Sequence, residues 1–215
     1  MTISLGAAFR GALRGQTLAR IFFNEALRAR TQGLRGRALD LASSAKPSYR
    51  NILPKDIDLI YSDRAESGDV KAIDMNVPLP FPDASFDGVF LFNALYIVDD
   101  PKRLAQEVHR VLKPGGVWLT LSPFVANEMP EPHDYLRFTK EGLERLCRRG
   151  GFTEITIERL GERASAATHL MHPFFLFNIV RALVFPVGVL LDKAVSERAR
   201  TEHPTPLSYF VQCTK

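Results

Sequence analysis

The chain is poor in cysteine and tryptophan: two cysteines and one tryptophan in 215 residues. Cys147 and Cys213 cannot make a disulfide framework, and neither sits in a metal-type cluster. The pair points to a reducing, cytoplasmic setting. CxxC, HExxH and GxxxxGK[ST] motifs are all missing, which argues against a metal site or a nucleoside triphosphate site. Repeats and low-complexity tracts are missing too. An uninterrupted membrane-length apolar run is absent: the longest, from His169 to Leu191, contains Pro173, Asn178, Arg181 and Pro186. A secretory leader is not expected, because Arg10 and Arg14 break any apolar core at the start. A mitochondrial leader fits poorly, because the basic start runs without a linker toward the first strand.

What is present is a hydrophobic content of 46% with mixed charge, enough for a real core in about one domain. The net charge of +4 is uneven. Up to Arg37 there are seven arginines and one acid, Glu25, a local +6 that leaves −2 for the remainder. A basic arm on a near-neutral body suggests an anionic membrane surface or nucleic acid, or else a solvated helix face.

Periodicity gives the elements. Residues 4 to 31 read as one basic leading helix, with Leu5, Phe9 and Leu13, then Leu18 and Phe22, at i, i+4. Strands are expected at Arg37 to Leu41, Ile57 to Tyr61, Val70 to Ile73, Phe86 to Phe92, Val117 to Leu121, Phe152 to Glu158 and Leu207 to Cys213. Between the fourth and fifth, Asp99-Asp100-Pro101 starts a helix whose buried face is Leu104, Val108, Val111 and Leu112. Lys113-Pro114-Gly115-Gly116 stops it. Strand, helix and strand make a βαβ unit, so these strands are parallel. Thr139 caps a second helix, which ends at Gly150-Gly151.

Three stretches carry a resemblance. LPFPDASFDGVF at 79–90, DDPKRLAQEVHRVLKPGG at 99–116 and PHDYLRFTKEGLERL at 132–146 are similar to the middle of a class I S-adenosylmethionine-dependent methyltransferase of the type-11 kind. The resemblance implies an α/β fold: a doubly wound, mostly parallel seven-stranded Rossmann-like sheet over 1–215. In it, 1–34 is a leading basic helix, 35–161 the core, 162–203 an apolar helical insertion and 204–215 the last strand. It implies S-adenosylmethionine as cofactor and Asp40, Ala42, Ser43, Ser44, Asp63, Asp74, Met75 and Asn93 as its site. The family's D-x-G-x-G-x-G loop aligns from Asp40, where Ala42, Ser44 and Lys46 replace its three glycines. Strand ends also select some of these positions directly: Asp63 suits a ribose diol, and Asn93 follows the fourth strand at the expected pocket floor. Met75 could equally be core filler.

Beyond the fifth strand, Glu128, Glu131, His133, Asp134 and Tyr135 are the densest cluster of potential bases. His133, oriented by Asp134 with Tyr135 beside it, is the expected catalytic group. Arg137 could instead tie up Asp134 and shape the loop. The expected activity is methyl transfer to a small-molecule acceptor, apolar or lipid-linked. The other reading is an inactive methyltransferase-like protein that binds a membrane surface or a partner. Nucleic acid as acceptor is disfavoured, because no aromatic-and-basic stacking pattern follows the fourth strand. The insertion is expected to act as a lid, to meet a membrane interface, or to pack internally.

Overall fold

The computed structural model of the chain describes residues 1–43, 47–130 and 133–215. Ser44 and Lys46 of the expected cofactor loop, and Glu131, lie outside the described residues. Seven strands are present among them: Gly36–Leu41 (β1), Ile57–Asp63 (β2), Lys71–Ala72 (β3), Phe86–Phe92 (β4), Leu112–Pro123 (β5), Glu154–Leu160 (β6) and Ser208–Thr214 (β7). They form one sheet in the order β3-β2-β1-β4-β5-β7-β6. The pairs β1–β2, β2–β3, β1–β4 and β4–β5 are parallel. Gly115 near the start of β5 donates to Lys215 O at the end of β7 (2.8 Å), and Phe124 after β5 donates to Leu207 O before β7 (2.9 Å). β7 therefore runs opposite to β5. The helices are Leu5–Leu13 (α1), Leu18–Thr31 (α2), Pro101–Val111 (α3), Lys140–Gly150 (α4), Arg163–Leu170 (α5), Asn178–Ala194 (α6) and Glu197–Glu202 (α7). This is the doubly wound α/β, Rossmann-like sheet that the motifs imply.

The chain divides into two compact units. One comprises Arg30–Ser122, Met129–Ile157 and Phe210–Lys215. Its core is β4, buried along nearly its whole length, as expected where a parallel sheet is covered on both faces. α3 starts where the sequence says: Asp100 Oδ1 accepts from Arg103 N–H (3.1 Å), and Pro101 takes the first turn, where no N–H is needed. Its apolar stripe of Leu104, Ala105, Val108 and Val111 is buried. α4 lies close against it, because Gly150 brings its backbone to Ala105. Gly151, with φ +105°, ends α4.

The other unit comprises Met1–Ala29, Pro123–Glu128 and Glu158–Tyr209. Here α1 packs on α6, and α5 also packs on α6. Asp192, buried near the end of α6, accepts from the backbone N–H groups of Glu162, Ala164 and Ser165 (3.0, 2.8 and 3.0 Å). It thereby satisfies the free donors at the start of α5. No helix among the described residues is long and apolar enough to cross a membrane.

Several boundaries differ from expectation for local reasons. The single leading helix is two: Gly15 turns left-handed (φ +75°), and Thr17 Oγ1 caps α2 by accepting from Arg20 N–H (3.3 Å). The third strand shrinks to two residues, since Val70 pairs back with Ser67 in a tight turn. The Lys113–Gly116 turn is absorbed into β5, with Lys215 N–H bonding Gly116 O (3.0 Å). The sixth strand is displaced toward the C-terminus, to Glu154–Leu160. Pro186 does not interrupt its segment but lies inside α6, while Pro173 sits in a short 3-10 turn at His172–Phe174.

Candidate functional site

The site lies in the unit that carries β1 to β5, at the carboxyl edge of its parallel strands. β1 and β2 end side by side, with Asp40 opposite Tyr61 in register and Ser62 Oγ donating to Asp40 O (3.1 Å). Ile73 N–H donates to Asp63 O (2.9 Å), which holds the segment after β3 beside the tip of β2. Tyr135 N–H donates to Tyr96 O (3.0 Å), which ties the loop after β5 to the exit of β4.

These ties create a cleft of about 290 Å³. Of the residues singled out by sequence, Ala42, Asp63, Asp74, Met75, His133 and Tyr135 line it. Ala42 adopts φ +58°, a left-handed turn of the kind for which a glycine is usually recruited. The small side chain lets this turn form without one. Asp63 Oδ1 accepts from Arg64 N–H (2.7 Å), and Oδ2 has no protein partner among the described residues. Asp74 Oδ1 accepts from Asn76 N–H (2.8 Å), and Asn76 Oδ1 accepts from Asp99 N–H (3.0 Å). His133 and Tyr135 stack with ring centres 5.1 Å apart.

The other expected residues do not line the cleft. Asp40 is fully buried one residue inside the end of β1, where Tyr49 Oη donates to its Oδ2 (2.7 Å). Its Oδ1 has no partner among the described residues, and burial pushes its pKa up to about 8. Ser43 is buried, its N–H extending the β1–β2 ladder to Ser62 O (2.8 Å). Asn93 follows β4 as expected, but its exposed residue is a left-handed turn (φ +54°) whose N–H bonds Leu121 O (3.0 Å). Asp134 does not orient His133. Its carboxylate binds the Arg137 guanidinium and the Met129 N–H (2.9 Å), and the Arg137 bond holds it below the usual carboxylate range. The alternative in which Arg137 and Asp134 shape the loop describes this geometry.

Sequence reasoning missed five lining residues: Arg64, Ile73, Asn76, Ile97 and Asp99. The Asp74–Asn76 spacing was the one available signal, since an Asp accepting from the N–H two residues on makes a tight turn. The cleft thus has three carboxylates (Asp63, Asp74, Asp99) facing one arginine, with apolar walls from Ile73, Met75 and Ile97. Such a surface suits a ligand with a cationic centre, a polar diol and a flat apolar ring.

Residues 36–120 match a family model described as "Methyltransferase domain". The chain is 31% identical over 104 residues to an O-methyltransferase, resE, of Aspergillus sclerotiorum, covering 43% of this chain and 39% of that protein. It is 47% identical over 55 residues to the demethylmenaquinone methyltransferase of Geobacillus kaustophilus, covering 25% and 24%. The chain thus spans well under half the length of these relatives. Among solved structures, a SAM-dependent methyltransferase from Archaeoglobus fulgidus has the same fold, with TM-score 0.59, 15% identity and coverage of 96% and 98%.

Proposed function

We propose that this chain, whose residues 36–120 match a methyltransferase-domain model, transfers a methyl group from S-adenosylmethionine to a small apolar or lipid-linked acceptor. The observation that carries the reading is the convergence of Ala42, Asp63, Asp74 and Met75 with His133 and Tyr135 on one cleft. The residues fit the cofactor. The unpartnered Oδ2 of Asp63 is available to the ribose hydroxyls. Ile73, Met75 and Ile97 offer an apolar slot for the adenine, with Asp74 beside it for the exocyclic amine. The three carboxylates favour a cation by charge. Its volume, about 290 Å³, is at the lower bound of about 300 Å³ for small-molecule sites.

The cofactor supplies a methyl group on a sulfonium, reactive toward an aligned nucleophile. The chain's part is alignment, which can account for most of such a rate enhancement. The Tyr96–Tyr135 backbone bond holds the His133–Tyr135 pair at the cleft, where the His133 imidazole takes the proton of a hydroxyl acceptor and Tyr135 packs on its ring. Asp134 acts through Arg137 and Met129 as a positioning residue for that loop. The stacked His133 and Tyr135 rings line the cleft and offer a flat surface to such an acceptor.

The test is calorimetric titration with S-adenosylmethionine and its demethylated product. The wild type should bind both. Asp63→Ala should weaken binding about ten- to a hundredfold, the worth of a charge-assisted hydrogen bond of roughly 1.5–3 kcal/mol. A wild type that binds neither would leave the non-catalytic reading standing.

A further inference from the structure

Apart from Val77 and Tyr135, every large apolar side chain exposed among the described residues lies on α1 or between Leu170 and Leu191. These segments belong to one compact unit. α1 is turned inside out for a surface helix: its buried residues are the small Ala8, Gly11 and Ala12, while Leu5, Phe9 and Leu13 face out at i, i+4, i+8. α6 buries Ala182, Phe185, Gly188 and Val189, yet its outer side is Ile179, Leu183, Val187, Leu190 and Leu191, each more than half exposed. A helix apolar all round is normally enclosed by other apolar matter. The segment before α6 adds Phe174, Leu176 and Phe177, exposed by 80, 78 and 67%. Asn178 Nδ2 donates to Leu13 O (3.4 Å), which joins the end of the α1 stripe to the start of α6.

Charge identifies what covers this face. Residues 1–24 and 163–191 contain no Asp or Glu, whereas Arg10 on α1 and Arg14 just after it are exposed, as is Lys193 in the last turn of α6 beside the buried Asp192. A second copy would bring like charges together with no carboxylate to neutralise them. A bilayer with anionic head groups supplies both the apolar phase and the counter-charge. Neither helix is long and apolar enough to cross it. We propose that the α1–α6 face, led by Phe174, Leu176 and Phe177, docks the chain on an anionic membrane surface. The proposal rests on this unit alone and does not depend on methyl transfer.

The experiment is flotation of the full chain with vesicles of phosphatidylcholine, alone or mixed with phosphatidylglycerol, at low and high salt. Binding should require the anionic lipid and weaken with salt. Leu176→Ser/Phe177→Ser/Leu183→Ser, at exposed positions and verified as folded by circular dichroism, should lose binding. Arg10→Gln/Arg14→Gln should keep the fold and bind anionic vesicles about tenfold or more weakly, from the usual contribution of two basic residues near a charged surface. Failure of the wild type to float with anionic vesicles at low salt overturns the proposal. So does a dimer in sedimentation velocity that the apolar triple variant dissociates, if vesicles do not compete with it.

Discussion

Asp40 does not behave as an ordinary carboxylate. Buried beneath Tyr49 with one oxygen unpartnered, it keeps its proton until about pH 8. In the unfolded chain the same carboxyl ionises near pH 4. Between those limits the unfolded state binds fewer protons, so stability falls as pH rises, by at most about 1.4 kcal/mol per unit. Asp40→Asn, which imitates the neutral carboxyl, should remove that slope. Urea titrations at several pH values between about 5 and 8 should show the variant gaining on the wild type as pH rises. Parallel curves would mean that Asp40 is charged in the folded protein. The cleft residues legible in the sequence, Ala42, Asp63, Asp74, Met75, His133 and Tyr135, lie at or a few residues beyond strand ends or in the loop after β5, where chain order gives position. Asp99 reaches its place through its N–H bond to Asn76 Oδ1, 23 residues away, which no spacing announces. For Asp134 the sequence left two partners open, and the structure gives its carboxylate to the guanidinium three residues on rather than to the neighbouring imidazole.

At the scale of elements, the packing of α4 on α3 turns on one missing methyl. A Cβ at Gly150 would sit 2.7 Å from Ala105 Cβ and 3.1 Å from its backbone carbon. Gly150→Ala sets a helix-propensity gain of up to about 1 kcal/mol, reduced at a helix end, against an overpacking cost of roughly 1–3 kcal/mol. The obstacle is partly backbone and cannot rotate away, so the net effect should be a loss. The urea midpoint should fall with the slope unchanged; an equal or higher midpoint would show that α3 yields easily. The strands with continuous apolar runs and the helices with caps were legible almost to the residue, as β4 and α3 show. Elements whose bounds are set by partners were not. β5 begins early because Lys215 pairs with Gly116, and β3 starts late because Val70 turns back on Ser67. Pro186 misled because removing one hydrogen bond in a 17-residue helix does not end it.

At the scale of the whole molecule, the two proposals fall on different units. The cleft is lined by residues of Arg30–Ser122 and Met129–Ile157, and the apolar face by residues of Met1–Ala29 and Glu158–Tyr209. No residue belongs to both, so each function should be removable by itself. Asp63→Ala should lose cofactor affinity and still float with anionic vesicles. The Leu176→Ser/Phe177→Ser/Leu183→Ser variant should stay with the soluble fraction and bind the cofactor with wild-type affinity. Ligand linkage gives a second readout on the same variants. A saturating ligand at a hundred times its dissociation constant stabilises the folded state by about 2.7 kcal/mol, so the face variant should keep the full cofactor-induced rise in melting temperature. The Asp63→Ala protein, at the same ligand concentration, should lose from about half to most of that rise. If the face variant lost cofactor affinity while its fold and melting temperature without ligand were unchanged, the two surfaces would be coupled, and the assignment of one function to each unit would fail.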